Sequence, residues 1–368
     1  MTEPMTDTNI NRRQFIKGVV GAAGGGMTAG AFRPAWSEPQ DMNQSNESGS
    51  ITEIDGIKVG HYTDTRRPTG CTAIIAEAGA VGGVDVRGGA PGTRETDLLN
   101  PVRMVQQVHA IMLSGGSAFG LDTASGAMRY LEERDIGFDV RIAKVPIVPA
   151  AILFDLGIGD DPKVRPDAEA GYQACLAATD GPIAEGSVGA GAGATVGKAA
   201  GSRRSMKGGI GTACVTAPGG LRVGAIMAVN AVGDIYDYTT GKIVAGARKV
   251  DGSGFINVAA QVRKTGSFHI DPTPQNTTIG VVVTNATLSK TDANRVAQVG
   301  HDGIARAINP SHLQGDGDTL FVMATGRHTD DANLSIVSTL AAEMVSEAIV
   351  RAIKTATGLP GIPAYRDL

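Results

Sequence analysis

Thr277 lies in the run Gln275-Asn276-Thr277-Thr278-Ile279-Gly280-Val281-Val282-Val283-Thr284, where a proline-containing turn gives way to a β-branched strand. A threonine hydroxyl is a weak nucleophile alone. Once its amino side is freed, the residue gains an α-amine with a pKa of about 7.7–8.0, close enough to act as its own base. The same hydroxyl attacking the Asn276 carbonyl would give an ester that water opens. Self-cleavage at Asn276–Thr277 and later catalysis would then share one geometry. The spacing alone also fits an ordinary strand start, or an N-x-[ST] sequon that a bacterial-type export signal makes irrelevant.

A second group of reactive side chains is His312-Leu313-Gln314-Gly315-Asp316-Gly317-Asp318-Thr319-Leu320-Phe321, two carboxylates two residues apart before an apolar strand. In extended backbone both point to one side. They could hold the threonine amine and hydroxyl, with one carboxyl raised in pKa by the charge of the other. An acidic turn or a cation loop also fits this pattern. Familiar alternatives fail on their own residues. Gly116-Ser117-Ala118 lacks the second glycine of a nucleophile elbow, because Phe119 stands there. Gly189 to Lys198 fails as a phosphate loop, with Ala192 at the first glycine position and Ala199 in place of Ser or Thr. His61, His109, His269, His301, His312 and His328 never adopt metal-ligand spacing and read as surface or structural residues.

The elements that must position these groups alternate in type. Short β-type runs occur at Cys71–Glu77, Ala110–Leu113, Val223–Asn230, Thr278–Thr284 and Leu320–Thr325. Helical patterns are predicted from Ser117 to about Glu133, from Pro166 to about Thr179, over Ser289–Ile308 with Ser289 as N-cap, and over Leu334–Thr357. Mixed strands and helices predict helices covering sheets in a layered sandwich. The formal charge of −4 over 368 residues carries no nucleic-acid footprint. Cys71, Cys175 and Cys214, odd in number and widely spaced, read as small packed residues. Fifty-one glycines without a G-X-Y period favour tight turns and close backbone packing.

At the start, Asn11-Arg12-Arg13-Gln14-Phe15-Ile16-Lys17 and the uncharged stretch Gly18 to Phe32 resemble a twin-arginine export signal over residues 1–36. A polar linker is expected at 37–50 and a single catalytic domain at 51–368, periplasmic after export. Past the signal no apolar run is long enough to span a bilayer, so no membrane association is expected once it is removed.

Several blocks in register carry a family resemblance. Thr277 to Thr284, the following Asn285-Ala286-Thr287-Leu288-Ser289, and Gly315 to Phe321 resemble the C-terminal part of the DmpA-type self-processing peptidases, and within them the aminohexanoate-oligomer (nylon) hydrolases. Upstream, Asp85–Asp97, Leu113–Leu121 and Val145–Ala151 are similar to family blocks in the same order. The resemblance implies an α+β fold of the N-terminal-nucleophile-hydrolase type, a four-layer αββα sandwich cut into fragments 51–276 and 277–368 that stay together. It implies Thr277 as nucleophile, oriented by Asp318 and Asp316, and Lys198 beside it, lowering the pKa of the threonine amine. It implies Asn230 as an amide donor to the developing oxyanion. Phe154 stands where the nylon hydrolases have tyrosine, keeping a pocket wall and losing a hydroxyl. No cofactor and no metal are expected, and a homotetramer of processed protomers is.

The activity implied is hydrolysis of amide bonds in short peptides, β-amino-acid amides or ω-amino-acid oligomers. An acyltransferase like the ornithine acetyltransferases, or a non-catalytic periplasmic binding protein with an uncut chain, are the alternatives. A carboxylate binding the substrate amine would mark an aminopeptidase, and Asp155 and Glu185 are equal candidates for it.

Overall fold

The run Thr-Thr-Ile-Gly-Val-Val-Val-Thr is dominated by β-branched residues that suit a pleated surface. In the computed structural model it forms a strand buried along its whole length, Thr277–Thr284. The structure describes residues 49–267 and 276–368. The export signal at 1–36, most of the expected linker, His269 and Gln275 lie outside the described residues. The described chain falls within one compact unit, Glu47–Leu368.

The main sheet has nine strands: β1 Lys58–Thr63, β2 Gly70–Val86, β3 Thr93–Arg94, β4 Gln107–Ser114, β5 Ala150–Ile152, β6 Gly209–Thr216, β7 Arg222–Asn230, β8 Thr277–Thr284 and β9 Thr319–Ala324. They run in the order β6-β7-β8-β9-β2-β4-β5-β3, with β1 on β2. β2 is the hinge between two halves. Its first part pairs with β1 and β4, its last part with β9, and the register shifts between Ile75 and Ala80. The five expected strands all appear, two of them longer: Cys71–Glu77 is the first part of β2, and Ala110–Leu113 the middle of β4.

The two halves face each other across an apolar layer that includes Ile74, Ile111 and Leu113 from one and Ile279, Val281, Val283 and Phe321 from the other. Outside one half pack α4 Lys290–Ala307 and α5 Leu334–Thr355, against Met227, Val282 and Val322. Outside the other pack α1 Thr123–Glu132 and α2 Ala168–Leu176, against Ala73, Ile75 and Met112. These are the four layers of an αββα sandwich, built from one sheet bent at β2.

Local signals explain the helix ends. Ser289 caps α4 in a capping box with Asp292. The pattern beginning at Ser117 starts as a 3-10 turn, Ser117–Asp122, and becomes α-helical only at Thr123. A short helix absent from the sequence reading, α3 Val258–Thr265, follows the left-handed N-cap Asn257. The boundary of the linker shifts as well. Gly49 donates its N–H to Cys214 O, and Ser50 caps the turn Ile51–Glu53, so both belong to the domain. Cys71, Cys175 and Cys214 are free and buried, as expected of packed residues.

Candidate active site

Strand register brings the predicted residues to one end of the sheet. β7 and β8 are antiparallel, which sets Asn230, the last residue of β7, across from Thr277, the first of β8. β9 is parallel to β8, and the turn leading into it lays Asp316 beside Asn276. Asn276, Thr277, Asp316 and Asp318 are each no more than 5% exposed, so their charges and hydrogen bonds act in a dry environment.

The Asn276 carbonyl oxygen is held from two sides. It accepts from Thr277 Oγ1 at 2.5 Å and from the Gly317 N–H at 3.0 Å. The hydroxyl expected to attack this carbonyl is therefore already against it, and a backbone donor already points at the oxygen on which negative charge would develop. Gly317 leaves no room for a side chain there. An added Cβ would lie 2.8 Å from Thr277 Oγ1 and 3.0 Å from Ala90 O.

The two carboxylates divide their tasks. Asp318 Oδ1 accepts the Thr278 N–H at 2.7 Å, one residue beyond the nucleophile. Asp316 Oδ2 accepts the Leu313 N–H at 2.8 Å, while its buried Oδ1 has no hydrogen-bond partner among the described residues. Burial first, and then the charge of Asp318, push the Asp316 carboxyl up to about 6. The sequence reading attributed such a rise to the neighbouring charge. Desolvation leads because the turn sits under Arg87-Gly88-Gly89-Ala90, whose N–H groups bind back to Asp318 O, Leu313 O and Asp316 O.

His312 is a site residue that the histidine spacing concealed. Its Nδ1–H donates to Asp318 Oδ2 at 2.7 Å and its backbone N–H donates to the same oxygen at 3.1 Å. Its ring meets that of buried His301 edge-on, with centroids 4.8 Å apart. His301 in turn donates through Nε2 to Asp85 O, and burial lowers its pKa to about 4, leaving it neutral at pH 7. The available signal was proximity: His312 lies six residues before Asp318, in the same turn.

Lys198 donates from Nζ to Asn230 O at 2.9 Å and to Asn230 Oδ1 at 2.8 Å. Burial of the ammonium lowers its pKa to about 7, against the pull of Asp316 and Asp155, although the residue keeps some exposed surface. Asn230 is fully buried. Its Oδ1 also accepts the Thr195 N–H, and its Nδ2 donates to Phe154 O at 3.0 Å. The amide is thereby clamped at both ends, next to the nucleophile in the strand register. Phe154 and Lys198 both line an open cavity of about 390 Å³.

Neither carboxylate considered for a substrate amine is available. Asp155 is sealed by Arg67, Thr69 Oγ1 and the Gly116 N–H, with none of its side chain exposed. Glu185 pairs with Arg351 at 2.6 Å and accepts the Thr212 N–H.

The profile of Peptidase family S58 matches residues 49–365. An uncharacterized aminopeptidase of Mycobacterium leprae is 41% identical over 350 residues, covering 86% of this chain and 93% of its own. A 6-aminohexanoate-oligomer endohydrolase of Kocuria sp. is 30% identical over 315 residues, covering 82% and 85% respectively. Among solved structures, the L-aminopeptidase D-Ala-esterase/amidase of Ochrobactrum anthropi, described as a variant of the Ntn hydrolase fold, aligns with a TM-score of 0.63 at 20% identity. That alignment covers 86% of this chain and 90% of the other. The chain thus belongs to Peptidase family S58, with the Ntn hydrolase fold, and it is an amide-bond hydrolase.

Proposed function

We propose that the chain cuts its own Asn276–Thr277 bond and then uses Thr277 as an N-terminal nucleophile on amide substrates. The observation that carries this reading is the pair of donors, Thr277 Oγ1 and Gly317 N–H, on the Asn276 carbonyl oxygen. In the first reaction the hydroxyl adds to the Asn276 carbonyl carbon and gives its proton to ionised Asp316. The Gly317 N–H bears the charge that forms on oxygen. The carbon–nitrogen bond breaks, the Thr277 nitrogen takes up a proton and leaves as an amine, and an ester joins Asn276 to Thr277 Oγ1. Water hydrolyses that ester, releasing the Asn276 carboxylate and a free Thr277.

In the second reaction the substrate carbonyl takes the position vacated by Asn276. The Thr277 α-amine accepts the hydroxyl proton and passes it to the leaving substrate amine as the acyl group moves to Oγ1, and water then hydrolyses that ester to release the acid and restore Thr277. Asp318 keeps the start of β8 in place through Thr278. Asn230 fixes the wall behind the nucleophile, and the Lys198 ammonium favours the neutral form of the Thr277 amine. Short peptides and ω-amino-acid oligomers are the substrate classes that the names of the relatives support. We also infer export by the twin-arginine route and assembly as a homotetramer. The paired arginines at Arg12 and Arg13 support the first, and the family resemblance the second.

Intact-mass analysis under denaturing conditions tests the central step, with Thr277→Ala alongside. Two fragments meeting at Asn276–Thr277 in the natural chain, and one full-length chain in the variant, are expected. An uncut natural chain overturns the reading.

A further inference from the structure

The glycine-rich run Gly189 to Lys198 has the composition of a phosphate loop and the opposite polarity. A phosphate loop turns N–H groups toward an anion. Here carbonyls turn inward, toward Lys207, whose side chain is fully buried. Its Nζ donates to Gly191 O at 2.8 Å, to Ala194 O at 3.0 Å and to Gly208 O at 2.9 Å. An ammonium has three donors, and these three acceptors use them all.

Burying an ammonium among neutral acceptors is costly. It lowers the pKa of Lys207 to about 7, against the pull of Asp155, which is already paired with Arg67. In return, carbonyls from two chain segments are drawn to one point, which an apolar side chain could not do.

The effect reaches the nucleophile in two steps. Thr195 directly follows Ala194 and pairs with Lys207 in a short antiparallel ribbon. Its N–H donates to Asn230 Oδ1 at 3.0 Å, and Lys198, three residues on, donates to the same oxygen at 2.8 Å. Asn230 in turn lies across from Thr277 in the strand register. Gly208 packs against the residue before Asn230, since an added Cβ would run into Val229 O.

We propose that Lys207 is a positioning residue for the hydrolytic reaction: its ammonium holds the run Gly189 to Lys198 so that Thr195 and Lys198 fix the Asn230 amide beside Thr277. The inference rests on the reading of Thr277 as nucleophile with Asn230 at its side.

Lys207→Met, which keeps the length and removes the donors, tests it in a double-mutant cycle with Asn230→Ala. Turnover is read on alanine p-nitroanilide and on a linear 6-aminohexanoate oligomer, per processed chain as counted by intact mass. Alone, Lys207→Met should lower kcat by about ten- to a hundredfold, the cost of misplacing a group by an ångström. On the Asn230→Ala background it should lower kcat by less than about twofold, because the group through which it acts is gone. Full additivity would mean that Lys207 serves the fold alone, and overturns the proposal. Hydrogen exchange decides where a variant stays uncut or neither probe is turned over. In Lys207→Met the amides of 189–198 should lose protection while those of β8 and β9 keep theirs. Loss spread evenly over the sheet, or none in the run, overturns the proposal. If Lys207→Met does not fold, Lys207→Gln carries the same measurements, and failure of both to fold overturns the proposal in favour of a role in folding. A natural chain left uncut at Asn276–Thr277 counts against the nucleophile reading itself, whereas a cut, active chain with additive variants counts against this proposal alone.

Discussion

Asp318 receives three hydrogen bonds on two oxygens: the Thr278 N–H on one, and both the backbone N–H and the Nδ1–H of His312 on the other. His312 adopts a left-handed backbone, φ 59°, which asparagine tolerates better than most residues. His312→Ala should slow self-cleavage and turnover by roughly ten- to a hundredfold, the range of one hydrogen bond to a charged group. His312→Asn, whose amide can reach the same oxygen, should recover most of that loss. Time courses of fragment appearance check this, and equal rates in both variants would mean that His312 acts only in packing. The acid limb belongs to Asp316. With its carboxyl raised to about 6 by burial, it is protonated below that pH and unable to take the hydroxyl proton, so self-cleavage should slow as pH falls through about 6. Stability moves the other way. Because the folded value lies above the unfolded one of 3.8, protonated Asp316 favours the fold at low pH, and this contribution is lost as pH rises through about 6. Guanidinium melts at pH 4 and pH 7.5 should show Asp316→Asn gaining stability relative to the natural chain as pH rises, and no such gain would mean that the sign is wrong.

The turn Asp316-Gly317-Asp318 works because two chain segments approach without side chains between them. A Cβ on Gly88 would lie 2.2 Å from Asp316 O, and one on Gly317 would press on Thr277 Oγ1. Gly317→Ala should therefore displace the nucleophile from the Asn276 carbonyl and leave full-length chain where the natural protein is cut. Removing or misplacing one oxyanion donor costs about a hundred- to a thousandfold in rate. Quantifying uncut chain by denaturing gel over days, with a melting curve to confirm folding, checks it; normal processing would exclude the Gly317 N–H from the reaction. The sequence made parts of this arrangement legible. The β-branched run of β8, the Ser289 cap and the carboxylate pair each announce themselves through local chemistry. The clamp on Asn230 does not, because it depends on contacts with residues distant in the chain, Phe154 and Lys198. Asp155 misled for the same reason: a carboxylate near the pocket wall reads as available until Arg67 and Thr69 are seen to occupy it.

Cutting the chain before Thr277 would leave β8, β9, α4 and α5 in one short fragment, and the bent sheet does not allow that fragment to leave easily. β8 is paired to β7 on one side, and β9 to the end of β2 on the other, so both seams join short fragment to long. Separation would expose Ile279, Val281, Val283, Phe321 and Met323, the fully buried residues of β8 and β9 that face the other half. At about 1.5–3 kcal/mol per side chain, these five alone amount to roughly 8–15 kcal/mol as an upper estimate, comparable with the entire stability of a typical domain. The two fragments of the natural protein should therefore elute together on a native sizing column at nanomolar concentration. They should also melt in a single transition, at a temperature close to that of the uncut Thr277→Ala chain, and part only in denaturant. Fragments that separate under native conditions, or melt in two steps, would mean that the seams of β8 and β9 open after cleavage, and that the active site built across them is transient.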